Sequence, residues 1–202
     1  MRVRQLAGVE TTRFGDRRIA TLRSAVLTAL HGLGRSGSIT VLDDLVHRGR
    51  WSTANLDELG DQLRGRRGCT EMTRWLALVD GRSESPLETH ARLDCLDEGV
   101  PPDELQVVIR AADGTFLGRG DLGWRLDGGR WLVAEIDGRE FHEQPEALLR
   151  DRSRQNALLL HGGIDLLRFT SEDVRTRGTV GRAVRDALRV GREQHGSRLS
   201  VV

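Results

Sequence analysis

The sequence predicts an α/β chain: a mixed β-sheet flanked by helices, preceded by a small helical domain. Three observations carry that prediction. Residues 1–80 show apolar residues at helical spacing, punctuated by glycine. Residues 81–202 switch to an α-β-β-β-α-β-α order, which implies a mixed sheet with helices against it. Within that order the run WLVAEID at 131–137 is almost continuously apolar, as suits a central strand buried on both faces.

In the first region, Ile19–Leu30 reads as a buried helix that stops at the glycines of HGLGRSGS. A second helix is expected over Ile39–His47. Ser52 or Thr53 can cap a third, with Leu56, Leu59 and Leu63 on one face. After the loop RGRRG at 64–68 a fourth runs from Thr70 to Val79, and RVRQLAGVETT at the start has the composition of a hairpin. Asp80-Gly81-Arg82-Ser83 is the expected domain boundary. Beyond it, Ser85 caps a helix with Pro86 at its first position and Glu88 in capping-box spacing. That helix ends near Asp97, before Gly99-Val100-Pro101-Pro102. Leu105–Ala111 is a strand, and Asp113-Gly114 turns into Phe116–Leu126, the strand that carries Asp121. Asp127-Gly128-Gly129 turns again into Trp131–Asp137. A helix over Pro145–His161, a strand over Ile164–Phe169 and a last helix over Ser171–Val190 complete the order.

Composition narrows the functional classes. The chain has 202 residues, 38% hydrophobic and 30% charged, too apolar for a disordered chain. No segment approaches the roughly 20 apolar residues that cross a bilayer, and the first 18 residues hold no apolar signal core. The expectation is a cytoplasmic protein with no membrane partner. Cys69 and Cys95 fit neither a disulfide framework nor a metal knuckle and read as two buried thiols. The histidines show no zinc-ligand spacing. A net charge of +1 leaves room for a local basic face that binds nucleic acid. Every basic residue is arginine; the chain contains neither lysine nor tyrosine.

The chemistry concentrates on the acids. Asp121 and Glu135 lie on consecutive antiparallel strands, and Asp137, two residues beyond Glu135, points to the same side of its strand. Three carboxylates at one end of a sheet are hard oxygen ligands for Mg2+, with Mn2+ as a substitute, and leave positions for water and a phosphate. Solvated acids on a surface hairpin are the plain alternative, but Glu135 and Asp137 interrupt the most apolar strand in the chain. Arg150, Arg152 and Arg154, with Arg139 and Arg168 near them in the pattern, bring guanidinium groups suited to phosphate. Arg150 and Arg154 share a helix face. The same arginines can equally pair with Glu146 and Asp151 on a solvated surface. Trp124 and Trp131 flank the acidic hairpin and fit packing better than base stacking.

Five motifs in order, Ser85-Pro86-Leu87-Glu88, Gly120-Asp121-Leu122-Gly123-Trp124, Val133-Ala134-Glu135-Ile136-Asp137-Gly138 with His142, Arg150-Asp151-Arg152-Ser153-Arg154, and Leu166-Leu167-Arg168-Phe169-Thr170, resemble a known domain. It is the endonuclease-like domain related to very-short-patch repair nucleases, within the PD-(D/E)XK superfamily, and the likeness covers about half the chain. The resemblance implies a restriction-endonuclease-like fold over 81–202 and a Mg2+-dependent deoxyribonuclease. Asp121 is then the metal-binding aspartate, Glu135 the acid of the (D/E)XK element, and Glu88 an acid that assists the metal. Asp137 stands where the superfamily has lysine, an E-x-D-G variant usual in this branch, and His142 becomes the group that handles the proton. Residues 1–80 resemble, more loosely, the region that precedes such domains in abortive-infection antitoxin-like proteins, with the chain starting after the usual winged-helix segment.

Two functions follow as expectations. One is an endonuclease cutting DNA in phage defence or repair, with RNA left open as a substrate and a homodimer compatible with it. The other is a non-catalytic DNA-binding or antitoxin-like regulator on a degenerate nuclease fold. Convergence of Glu88, Asp121, Glu135 and His142 on an open cleft favours the enzyme. A Glu135 turned into the core, or paired off with an arginine, decides for the regulator.

Overall fold

The computed structural model describes residues 9–64, 69–111, 113–138 and 164–199, the side chains of 192–199 excepted. The chain divides into two compact units, one of residues 1–42 and 51–79, the other of 43–50 and 80–202.

The first unit opens with an antiparallel hairpin of β1 (Thr11–Phe14) and β2 (Arg17–Ala20), turning at Gly15 with φ +58°. Ile19 and Ala20, expected in a helix, pair instead with Thr12 and Thr11. Helix α1 (Leu22–His47) starts behind Thr21, whose Oγ1 accepts the Ser24 N–H at 3.3 Å. The expected stop at HGLGRSGS is a kink rather than an end. Only Gly34 leaves helical geometry (φ 64°, ψ −176°), and the predicted helix over Ile39–His47 is the second half of α1. Helices α2 (Thr53–Leu63) and α3 (Thr70–Leu76) follow, the latter three residues shorter than predicted. Val26, Leu30, Ile39, Leu42, Leu59, Leu63 and Met72 are buried in this unit.

In the second unit Ser85 Oγ accepts the Glu88 N–H at the start of α4 (Pro86–Asp97). The reciprocal arm differs from a capping box: the Glu88 carboxylate accepts from Glu84 N at 2.8 Å, one residue earlier than Ser85. Strands β3 (Glu104–Arg110), β4 (Phe116–Arg125), β5 (Trp131–Asp137) and β6 (Ile164–Thr170) form a sheet in that order. The first three are antiparallel neighbours and β6 runs parallel to β5. The observed architecture is therefore mixed α/β. The helix expected at 145–161 lies outside the described residues. Strand β5 supplies Leu132 and Ala134 to the cluster packed with Ala91, Cys95, Val180 and Val184, and Val133 to a second cluster with Val107, Ile109 and Ile164. Alternate strand residues face opposite sides, so the two clusters lie on the two faces and β5 is buried on both.

The predicted final helix is two: α5 (Ser171–Arg175) and α6 (Thr179–Leu199), with Gly178 at φ +77° between them. Asp94 of α4 makes this break, its carboxylate accepting the Gly178 and Gly181 N–H groups at 2.6 and 3.0 Å. A buried aspartate ties the segment 43–50 to α4. Asp43, 1% exposed, accepts from Asp80 N (2.7 Å), Thr89 Oγ1 (2.8 Å) and Arg92 Nη2 (2.8 Å). Cys69 and Cys95 are free and buried. Among the described residues no helix is long and apolar enough to cross a membrane.

Candidate functional site

The sequence around Asp121 is built for close approach. A Cβ on Gly120 would fall 2.0 Å from Val133 Cγ1, and one on Gly123 would fall 2.4 Å from Val107 Cγ2. Glycines on both sides of Asp121 thus let β4 sit tightly between β3 and β5. The β4–β5 ladder runs from Arg125↔Trp131 to Leu122↔Ala134. There the Asp121 side chain takes over: its Oδ2 accepts the Ile136 N–H at 2.7 Å.

Two further carboxylates press on it. Burial above all pushes the Asp121 carboxyl up to about 6. The charges of Glu88 and Glu135 add to that, while the Ile136 N–H and Arg119 oppose it. Glu88, 8% exposed, arrives from the first turn of α4. Glu135 comes from β5. Arg119 is engaged by Glu84 through two contacts of 2.8 and 2.7 Å.

Glu135 also has a cation partner. It stands level with Arg168 of the parallel strand β6, and Arg168 Nε donates to its carboxylate at 3.1 Å. This is the pairing that the sequence associates with a regulator. Both partners keep some solvent contact, 39% for Arg168 and 18% for Glu135, so the pair contributes about 0–1 kcal/mol.

The structure thus places Glu88 and Glu135 near enough for their charges to act on Asp121. Asp137 is exposed at the end of β5 and is not among the acids acting on Asp121. His142, Arg139, Arg150, Arg152 and Arg154 lie outside the described residues. Trp124 is core, 3% exposed, with its indole N–H donated to Val100 O at 3.0 Å, while Trp131 lies under the Arg125 guanidinium at 5.2 Å.

Sequence reasoning missed Gln106. It has φ +57°, the one non-glycine residue with positive φ among those described, a conformation that costs about 1–3 kcal/mol. The register pairs on either side are Leu105↔Leu122 and Val107↔Gly120, so Gln106 and Asp121 are the residues between them. Leu105 and Val107 belong to clusters on opposite faces, although residues two apart in a strand normally share one. The left-handed residue makes that switch. Gln106 Nε2 donates to Glu88 Oε2 at 2.8 Å, and its Oε1 is buried with no hydrogen-bond partner among the described residues. An orphaned acceptor adds about 1–3 kcal/mol of cost. Leu105, Val107 and Ile109 alternate regularly, so nothing in the sequence marks the break.

Among the described residues no group of three or more His, Cys, Asp or Glu side chains is arranged to hold a metal ion. Magnesium needs fewer, usually one or two protein carboxylates with water completing its shell. The half-buried Asp121, with Glu88 and Glu135 acting on it, and the buried Gln106 amide oxygen, without a donor among the described residues, are oxygen groups of the kind a hard divalent cation takes.

Two relatives are similar to this chain: the uncharacterized proteins MT2308 and Rv2248 of Mycobacterium tuberculosis, from strains CDC 1551 and H37Rv. Each is 30% identical, over 86% of this chain. The chain spans 62% of the length of these relatives. No family model matches the chain, and no solved structure does.

Proposed function

We propose that residues 81–202 form a restriction-endonuclease-like domain that hydrolyses DNA phosphodiester bonds with a divalent cation, in phage defence or DNA repair. The single observation behind this reading is Asp121, whose carboxyl burial holds up to about 6 beside Glu88 and Glu135. Acids forced together out of water are a standing cost that a cation removes. The element order agrees with the resemblance in the motifs: a helix bearing Glu88, a three-stranded antiparallel meander bearing Asp121 and Glu135, then a parallel fourth strand.

Asp121 and Glu135 would hold Mg2+ or Mn2+, with Glu88 in support. Such an ion supplies an activated water and neutralises charge growing on the phosphodiester. His142 would move the proton. Arg139, Arg150 and Arg154 would bind DNA phosphates.

A second reading, a non-catalytic DNA-binding or antitoxin-like regulator, is favoured by the Glu135–Arg168 pair. Cleavage of supercoiled plasmid and of single-stranded DNA separates the two. Metal-dependent nicking by the wild type, lost in Asp121→Ala and in Glu135→Ala, is expected of the nuclease. No cleavage by clean wild-type protein, with DNA binding that survives both substitutions, means a binding module.

A further inference from the structure

We infer that Gln106 belongs to the cation site: its amide nitrogen fixes Glu88, and its amide oxygen is the neutral oxygen that a divalent cation, or a water on that cation, fills. The inference rests on the cation site proposed above at Asp121. It assigns that site a residue outside the acidic set of the motifs.

Four observations converge on Gln106. The first is position. It lies between the register pairs that bracket Asp121, so the two residues are neighbours across β3 and β4. The second is orientation. With Glu88 ionised, only the amide N–H₂ can face its carboxylate, and the 2.8 Å contact from Nε2 fixes which end of the amide is which. The oxygen of the same planar group is then held within one amide width of that contact. The third is the orphan itself. Oε1 is buried and accepts nothing among the described residues. Buried amide oxygens ordinarily find a donor, and one left open on an amide bonded to a carboxylate suits a cation or a water that such a cation orients. The fourth is the backbone, which holds a left-handed residue at a position where glycine would be free of strain. Glycine there would lose the amide, and the side chain is what the strained conformation presents to the site.

A merely structural Gln106 makes a different demand. If its task were only to donate to Glu88, the oxygen would be dispensable, and a carboxylate in its place would repel Glu88 and be worse than any neutral residue. Gln106→Met and Gln106→Glu therefore separate the two roles. Methionine keeps the length and removes both polar atoms; glutamate keeps the oxygen and removes the donor.

The experiment is Mn2+ binding to the full chain, read by the electron paramagnetic resonance of free Mn2+, with melting temperatures in EDTA as the fold control. Wild type is expected to bind, and Asp121→Asn to lose binding. Gln106→Met should bind about 10- to 100-fold more weakly, the range for residues that support metal ligands, with its EDTA melting temperature at or above that of wild type. Gln106→Glu should keep Mn2+ affinity within a few-fold of wild type at pH 8. If Gln106→Met binds as wild type does while Asp121→Asn does not, the role of Gln106 is overturned and the cation site stands. Equal weakening in Gln106→Met and Gln106→Glu also overturns it, because the donor to Glu88 would then be what matters. A wild type that fails to bind Mn2+ removes both the site and this assignment. Should Gln106→Met fail to fold, Gln106→Glu decides alone: its retained affinity supports the oxygen role, and its loss refutes it.

Discussion

Replacing Asp121 with asparagine should make the metal-free protein more stable at neutral pH. The folded chain holds the Asp121 proton up to about pH 6, whereas the unfolded chain releases it near the ordinary value of 3.8. Between those values the folded state carries more protons, so stability falls as pH rises and stays lower above pH 6. The interval corresponds to about 3 kcal/mol, and residual solvent contact at a half-buried carboxylate trims it to about 2 kcal/mol. Asparagine carries no charge to desolvate, keeps an oxygen for the Ile136 N–H, and turns its amide N–H₂ toward the carboxylate side. Asp121→Asn should thus be about 2 kcal/mol more stable than wild type in EDTA at pH 7.5, and equal to it near pH 4. Urea titrations followed by Trp124 and Trp131 fluorescence, in a background with Trp51 and Trp75 changed to phenylalanine, report on this unit. A stability difference that does not vary with pH, or an Asp121→Asn protein weaker than wild type at pH 7.5, refutes the reasoning.

Other perturbations follow from the same geometry. Asp43→Ala leaves the Arg92 guanidinium buried without its carboxylate and should cost about 3–5 kcal/mol in urea unfolding. Asp94→Ala removes the acceptor for Gly178 and Gly181 N–H at the start of α6 and should cost about 1–2 kcal/mol, with helical signal lost at lower urea. Gly120→Ala drives a methyl into Val133 and should cost about 1–3 kcal/mol, partly recovered by adding Val133→Ala. Arg168→Gln removes one cationic contact from Glu135; titration with Mn2+ should then show affinity that is raised or kept, whereas a fall would mean that Arg168 helps to form the site.

Much of unit two was legible because its signals are local. The Ser85-Pro86 start of α4, the DGG turn and the unbroken apolar run of β5 each report a physical requirement within a few residues. The juxtaposition of Asp121 with Glu135 followed from strand order alone. What the sequence hid is relational. Whether residues 171–190 form one helix or two depends on Asp94, far away in the chain, capping at Gly178. Glycine in HGLGRSGS reads as a stop, yet helix resumes beyond it, so Gly34 bends the chain where a stop was expected. Ile19 and Ala20 are apolar enough for a helix and are claimed by pairing with Thr12 and Thr11. Arg168 is level with Glu135 only because β6 lies parallel to β5 in one register. The break at Gln106 leaves regular alternation on both sides, so no periodicity could reveal it.

The Glu135–Arg168 pair is the observation most at odds with a cation site, and magnitudes decide how far it counts. Partly exposed pairs contribute about 0–1 kcal/mol, so the contact is a weak lock. Charge points the other way. Asp121, Glu88 and Glu135 supply three negative charges when ionised, and Arg168 returns one positive charge. Arg119, which Glu84 engages, also acts on Asp121 in the opposite sense to the two acids. Glu88 and Glu135 both favour the protonated form of Asp121, a repulsion that a divalent cation would offset. A regulator that had lost its cation would gain stability by losing the acids, since Asp121 alone carries a desolvation cost of about 2 kcal/mol at neutral pH. Gln106 bears a second cost at the same place, in a strained backbone and an unfilled oxygen. The buried Asp121 carboxyl and the Gln106 amide oxygen, which accepts nothing among the described residues, lie on adjacent strands; a cation there would offset both, and this weighs more than one solvent-screened ion pair.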